Sequence, residues 1–248
     1  MQASPDSPRP ANATLHALLS PSLDPVFWGS WRTGVPSAWY GHIPFAHWLV
    51  AAHRPAVVVE LGTHYGVSHF AFCHSALLSA VPCHCYAVDT WAGDEHAGHY
   101  GDDVHESVAA FNAAHCSAVS TLLRLPFDDA VHHFQPGVID LLHIDGLHTY
   151  DAVRHDFETW LPKLSPRAVV LLHDTAVREH DFGVWRLWEE LSARYRSFSF
   201  HHAYGLGVLA IGEQVTGPVA DLCALEGTPA GQTLRDRFML MGSRLRSP

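Results

Sequence analysis

The chain has 248 residues, 48% hydrophobic and 16% charged, with 15 Lys and Arg against 25 Asp and Glu for a net charge of −10. That length supports one α/β domain with a substantial core and short extensions, and the composition is that of a globular chain, not a disordered one. The acidic balance offers no field to nucleic acid or an anionic membrane. With no run near the ~20 apolar residues of a membrane span and no apolar signal core at the start, the expected location is the cytoplasm.

Residues 1 to about 20, rich in Pro, Ser and Ala, read as a loosely ordered arm. Phe27, Trp28, Trp31, Trp39 and Tyr40 follow, too aromatic for a solvated linker. They must pack on the sheet edge, line a substrate mouth or make a homo-oligomer contact. The expected organisation is an arm and packing segment over 1–40, an α/β domain over 41–212 and a tail with a helix over 213–248. Pro44 sits in the first turn of a helix that carries Phe45, Trp48 and Leu49 on one face.

Ala56 to Glu60 is a β-branched apolar run ending in a carboxylate, followed by a turn on Gly62 and Gly66 and a helix from Val67 to Ala80. That order is a buried parallel strand, a tight turn and a helix N-terminus, where an open α/β sheet holds a cofactor. A dinucleotide fingerprint needs Gly-x-Gly-x-x-Gly, but counting from Gly62 puts His64 and Val67 at the later glycine positions. The phosphate-cradle reading therefore fails, and a nicotinamide oxidoreductase stays a rival that a failed NAD titration would close. Glu-x-Gly-x-x-x-Gly suits a ligand with no phosphate, a cationic centre and a nearby ammonium.

Cys85 to Asp89 is a second strand ending in an acid, placed to reach the ribose of a nucleoside. Val119 to Leu123 is a third. Phe127-Asp128-Asp129 opens a short helix, where Asp128 serves either as a cap or as a partner for an adenine amino group. Val138 to Ile144 leads to Asp145-Gly146 and a helix with Tyr150, Val153, Phe157, Trp160, Leu161 and Leu164 on one stripe. Ala168 to Leu172 ends at His173-Asp174, and a helix with Val184, Trp188, Leu191 and Tyr195 follows. Residues 197–202 and 207–211 read as a hairpin that adds a last antiparallel strand, and Leu234, Phe238, Met241 and Leu245 mark the tail helix. The fold expected is a Rossmann-like, doubly wound, mostly parallel α/β sheet. Five cysteines, an odd number without scaffold spacing, read as reduced, and Cys83-His84-Cys85 lacks the second pair a zinc site needs.

Glu60, Asp89, Asp145 and Asp174 end four strands on one edge, and crowded carboxylates are costly unless a cation or a hydrogen-bonding ligand meets them. Asp145 with the His173-Asp174 pair can converge on one divalent ion. Mg²⁺ prefers the oxygen ligands, whereas an imidazole from His173 suits Mn²⁺, Fe²⁺ or Zn²⁺ better. His148, three residues past Asp145, is placed to act as general base, worth roughly 10²–10⁴-fold for a hydroxyl nucleophile. The glycine-rich stretch 88–101 is a loop long enough to act as a lid, and its Trp91, Asp94, His96 and Tyr100 suit a polyhydroxylated ligand.

The turn at 60–66 resembles the first motif of class I S-adenosylmethionine-dependent methyltransferases. With Trp-Ala-Gly-Asp-Glu-His-Ala-Gly at 91–98, His-Ile-Asp-Gly-Leu-His-Thr-Tyr-Asp at 143–151 and Leu-Leu-His-Asp-Thr at 171–175, the chain is similar to one group of them. That group includes metal-dependent sugar O-methyltransferases, cephalosporin-hydroxylase-like proteins and modules joined to glycosyltransferases. The resemblance implies the class I methyltransferase fold and S-adenosylmethionine held by Glu60, Gly62, Thr63, Gly66, Ser68, Asp89, Trp91 and Asp128. It implies a divalent metal on Asp145 and Asp174 with His173, which replaces the carboxylate of the family pattern, and His148 as base. Asp94, His96 and Tyr100 would meet the acceptor, a sugar hydroxyl of a glycan or glycosylated metabolite. A glycosyltransferase is an expected functional partner. The rival is a cephalosporin-hydroxylase-like accessory protein that binds without methylating.

Overall fold

The computed structural model describes residues 28–245. The expected loose arm and Phe27 lie outside them. Strands β1 (Val57–Leu61), β2 (His84–Asp89), β5 (Ser120–Arg124), β6 (Ile139–Ile144), β7 (Leu164–His173), β8 (Arg196–Phe200) and β9 (Leu206–Ala210) form one sheet in the order β5-β2-β1-β6-β7-β9-β8. The first five run parallel, and β9 is antiparallel to both β7 and β8. This is the class I methyltransferase fold expected from the sequence, with the hairpin inserting β9 beside β7.

Strand β1 has neighbours on both edges and helices on both faces, which is why its valines run on without polar alternation. Val58 joins one core layer with helices α1 (Ile43–His53), α2 (Val67–Leu78), α7 (Pro218–Cys223) and α8 (Pro229–Ser243). Val59 and Leu61 join the other, with α5 (Tyr150–Trp160) and α6 (Val184–Ser192). Helix α1 is buried on nearly every side, starts on Pro44 and ends where Arg54, in left-handed conformation, donates its N–H to the Val50 carbonyl. Residues 213–245 share this core: Leu222, Leu234 and Phe238 are buried, and Phe238 packs its ring against Phe45 and Phe200.

Three boundaries differ from the expected ones for physical reasons. Strand β7 begins at Leu164, which the helical stripe had claimed, because the chain pairs Leu164 with Ile139 before a register shift. The lid stretch is not all loop: β3 (Gly93–Asp94) and β4 (Gly98–His99) form a small antiparallel ribbon, followed by α3 (Asp102–His115). Strand β8 stops at Phe200, and the connection to β9 turns at Ala203, Tyr204 and Gly205 with φ of 47°, 67° and 91°. His42 and His173 each hold the Ala203 carbonyl through Nε2 at 3.1 Å.

Candidate active site

Three strand ends meet at Gly62. Its N–H donates to the Val88 carbonyl at 2.9 Å, while the next strand over sends the Asp145 N–H to the Leu61 carbonyl at 2.8 Å. Gly62 has φ +85°, and a Cβ there would stand 2.1 Å from the Asp145 carbonyl oxygen, so only glycine fits. Asp89 locks the turn that follows. One carboxylate oxygen accepts the N–H groups of Thr63 and His64 at 2.8 and 2.9 Å, and the other accepts the N–H of Trp91 at 2.7 Å.

Above this cradle lies a cleft of about 350 Å³, within the range of small-ligand sites. Of the predicted cofactor residues, Gly62, Thr63, Gly66, Ser68 and Asp89 line it, as do Asp94 and Tyr100 of the predicted acceptor set. The Thr63 hydroxyl is buried there without a hydrogen-bond partner. Tyr100 packs its ring 5.1 Å from that of His64. No Lys or Arg lines the cleft among the described residues.

Four predicted site residues lie elsewhere. Glu60 is fully buried and faces away from the cleft: it is the register partner of His143 on β6, and their side chains pair at 2.8 Å. Trp91 is buried beneath the turn, its indole N–H bonded to the His64 carbonyl at 2.9 Å. Asp128 stands at the surface, paired with His155 at 2.8 Å. His96 is outside the lining and reaches His148 and Asp181 instead. Trp39, for which lining a substrate mouth was one expected role, does line the cleft, whereas sequence reasoning missed the contributions of Ser37, Ala38, His64 and Phe127 to its wall. Phe127, in the first turn of α4 (Phe127–Ala130), supplies a ring where a carboxylate was expected from its neighbour, and a Cβ on Gly146 would strike that ring at 2.6 Å.

At the far end, the ends of β6 and β7 bring two carboxylates and two imidazoles together. His148 Nε2 lies 2.9 Å from Asp174 Oδ2 and 3.6 Å from Asp145 Oδ1. His173 Nδ1 lies 3.2 Å from Asp145 Oδ1 and 3.1 Å from Asp174 Oδ2. Burial opposes charge on Asp145 and Asp174, but His173 and His148 outweigh it and hold both carboxyls below the usual range. Burial likewise opposes charge on His148, and hydrogen bonds to Asp145 and Asp174 overcome it, pushing the imidazole up to about 9. His173 moves in the same direction for the same reason.

The donor set suits a divalent cation. Asp145, His148 and Asp174 each offer a ligand atom within 4.8 Å of the others. The third donor in that group is His148, where the sequence pointed to His173. His173 sits deeper, its Nε2 on the Ala203 carbonyl and its Nδ1 behind both carboxylates, in the manner of an outer partner that orients ligands. The cleft equally suits a nucleoside carrying a positive charge: glycine lets the ligand approach the backbone, Thr63 offers a free hydroxyl, and acids but no cations surround it.

Residues 59–175 match the family described as a methyltransferase domain. The uncharacterized protein y4gI of Sinorhizobium fredii (strain NBRC 101917 / NGR234) is 47% identical over 208 residues, which are 84% of this chain. The match spans about 22% of the length of that relative. Among solved structures, the O-methyltransferase TomG of Streptomyces achromogenes, in complex with SAM, aligns with a TM-score of 0.52 at 16% identity, covering 82% of this chain and 89% of its own. The SAH-bound methyltransferase PaMTH1 of Podospora anserina aligns with a TM-score of 0.52 at 12% identity, over 82% and 88%. A methyltransferase from Geobacter sulfurreducens gives 0.51 at 16% identity, over 84% and 90%. At such identities the structures speak for the fold alone, and the family match covers residues 59–175, a little under half of the chain. The chain thus has the class I methyltransferase fold, and its residues 59–175 are similar to a methyltransferase domain.

Proposed function

We propose that the protein transfers a methyl group from S-adenosylmethionine to a hydroxyl of an uncharged, polyhydroxylated acceptor, a sugar of a glycan or glycosylated metabolite, with a divalent metal assisting. One observation carries this reading: a glycine cradle closed by Asp89 and the Asp145, His148 and Asp174 cluster open into the same cleft, which has no Lys or Arg among its described lining residues. Acids on the wall favour a sulfonium cofactor, and the lack of cations disfavours acceptors bearing phosphate or carboxylate.

The cofactor, when bound, supplies an electrophilic methyl and leaves as S-adenosylhomocysteine. Gly62, Thr63, Ser68 and Asp89 would hold it, with Phe127 against the base. Asp145 and Asp174 would hold the metal, which lowers the pKa of an acceptor hydroxyl. A cation there would supply the counter-charge that His148 otherwise gives the two carboxylates, and His148 Nε2 would take the proton of the attacking hydroxyl. Asp94 and Tyr100 border the space left for the acceptor. Phe182 and His96 shield the opposite side of the base.

Calorimetry of the full chain with S-adenosylhomocysteine is the first test, with saturable binding expected. The second is transfer from methyl-labelled cofactor to a panel of neutral glycosides in the presence of Mg²⁺ or Mn²⁺. Absence of cofactor binding removes the whole reading. Binding without transfer to any glycoside leaves the cofactor site standing and favours an accessory, non-methylating role.

A further inference from the structure

The lid ribbon brings a second imidazole to the first. His96 Nδ1 lies 3.3 Å from His148 Nδ1, and His96 Nε2 lies 2.8 Å from Asp181 Oδ1. Phe182 stacks on both rings, with centroids 4.5 Å from His96 and 4.8 Å from His148 and interplanar angles of 14° and 5°. Three segments distant in sequence make this array, and each is tied down. Asp94 accepts the N–H groups of His96 and Ala97 at 2.7 Å, fixing the ribbon turn. Thr149 bridges to Phe182, and the Gly183 N–H donates to the His148 carbonyl at 2.7 Å.

Hydrogen-bond bookkeeping then fixes the direction of each donor. An ionised carboxylate only accepts, so the hydrogen between Asp181 and His96 sits on His96 Nε2. A neutral His96 therefore presents a lone pair at Nδ1, and the hydrogen in the bond between the two rings sits on His148 Nδ1. The reverse arrangement needs a doubly protonated His96, with its charge beside the single, mostly exposed carboxylate of Asp181. The ring facing two carboxylates, His148, is the better place for that hydrogen.

We propose that Asp181 and His96 are positioning residues for His148: by accepting from its Nδ1–H they orient the ring and aim Nε2 at the Asp145 and Asp174 side of the cleft. The inference rests on the methyl-transfer reading only in making Nε2 the reacting atom. The hydrogen-bond pattern itself stands apart from it. The logic is that of a base held in one tautomer by a third group, here supplied through a second imidazole. The β3–β4 turn thus borders the acceptor space through Asp94 and meets His148 through His96.

The test is nitrogen-resolved NMR of the full chain labelled with ¹⁵N in its histidine rings. The His148 signal is identified by its absence from His148→Gln. The expected result is a hydrogen on His148 Nδ1, protected from exchange, whose resonance is lost in His96→Ala and recovered in His96→Gln, where the side-chain carbonyl can accept. In Asp181→Ala, which leaves the ribbon intact, the resonance should shift and exchange faster. A wild-type His148 bearing its hydrogen on Nε2 with Nδ1 bare overturns the proposal, as does a His148 signal that ignores both His96→Ala and Asp181→Ala. Calorimetry with S-adenosylhomocysteine on the same wild-type sample separates the two claims: failure to bind the cofactor sinks the methyl-transfer reading, while the nitrogen signals still decide this one.

Discussion

The carboxylate of Asp89, at the end of β2, holds the backbone N–H of Thr63, just past the end of β1, at 2.8 Å. The same side chain also takes the N–H groups of His64 and Trp91, so one residue sets the shape of the glycine turn. Asp89→Ala leaves three N–H groups without their acceptor, each worth about 1–3 kcal/mol where it stays unmet. Water entering from the cleft relieves part of this, leaving an expected loss of about 2–4 kcal/mol in urea unfolding. Affinity for S-adenosylhomocysteine should fall at least tenfold by calorimetry. A variant with wild-type affinity would mean that the turn keeps its shape unaided.

Gly62→Ala tests the meeting of β1 and β6. An alanine at φ +85° costs roughly 1–2 kcal/mol before any contact is counted. The added methyl also stands 2.1 Å from the Asp145 carbonyl oxygen, so the two strand ends must part. That displacement moves Asp145 away from Asp174. The expected outcome is a folded but destabilised protein that has lost both cofactor binding and metal binding, checked by calorimetry and by circular dichroism on one preparation.

The sheet was legible in the sequence because its strands are short apolar runs between glycine or acidic turns, and parallel strands buried on both faces leave little else to read. The residues at strand ends were harder, because position along a strand does not say which face a side chain takes. Glu60 and Asp145 both lie near the carboxyl edge, yet Glu60 falls in the alternation with Val58 and points into the core, where His143 meets it. The signal was present: two ionisable residues, each one position before the end of its buried strand, mark a buried pair across a ladder. Asp128 and Phe127 show the same difficulty on a helix, where one step of about 100° decided that the ring and not the acid faces the cleft. The nearness of Asp145 and Asp174 was legible because both directly follow the ends of adjacent strands, and His148 lies only three residues past the first of them.

The proposed metal would leave a clear signature in this donor set. Asp174→Asn and Asp145→Asn should each weaken Mn²⁺ binding at least about tenfold, since even outer partners of ligands cost that much. At a free Mn²⁺ concentration a hundred times Kd, wild type gains ~2.7 kcal/mol. For a chain of this size that is a rise in Tm of roughly 5–10 °C. Chelation should reverse the rise in wild type, and its effect in either variant should be no more than about half as large. An identical Tm with and without Mn²⁺ in wild type would remove the metal from the proposal.

A last prediction concerns stability and pH, at a site behind the Asp145-Gly146 turn. Asp156, on α5, is buried, and a Cβ on Gly146 would approach its carboxylate at 3.5 Å. Burial pushes the Asp156 carboxyl up to about 7, with His155 pulling it down and Asp128 pushing it further up. In the unfolded chain the same group titrates near 3.9. Between about pH 4 and 7 the native state therefore binds more protons than the unfolded state, and stability must fall as pH rises through that window and level off above it. At 1.36 kcal/mol per pH unit the full effect is about 4 kcal/mol, and relaxation of the helix surface toward water reduces it to roughly 2–4 kcal/mol. Asp156→Asn, neutral at every pH, should remove this slope, making the protein more stable than wild type at pH 8 and about equal to it near pH 4.5. Urea unfolding from pH 4.5 to 8 gives the answer directly. Parallel wild-type and variant curves across that range would show that Asp156 ionises freely in the folded protein, with the carboxylate reaching solvent past the start of α5.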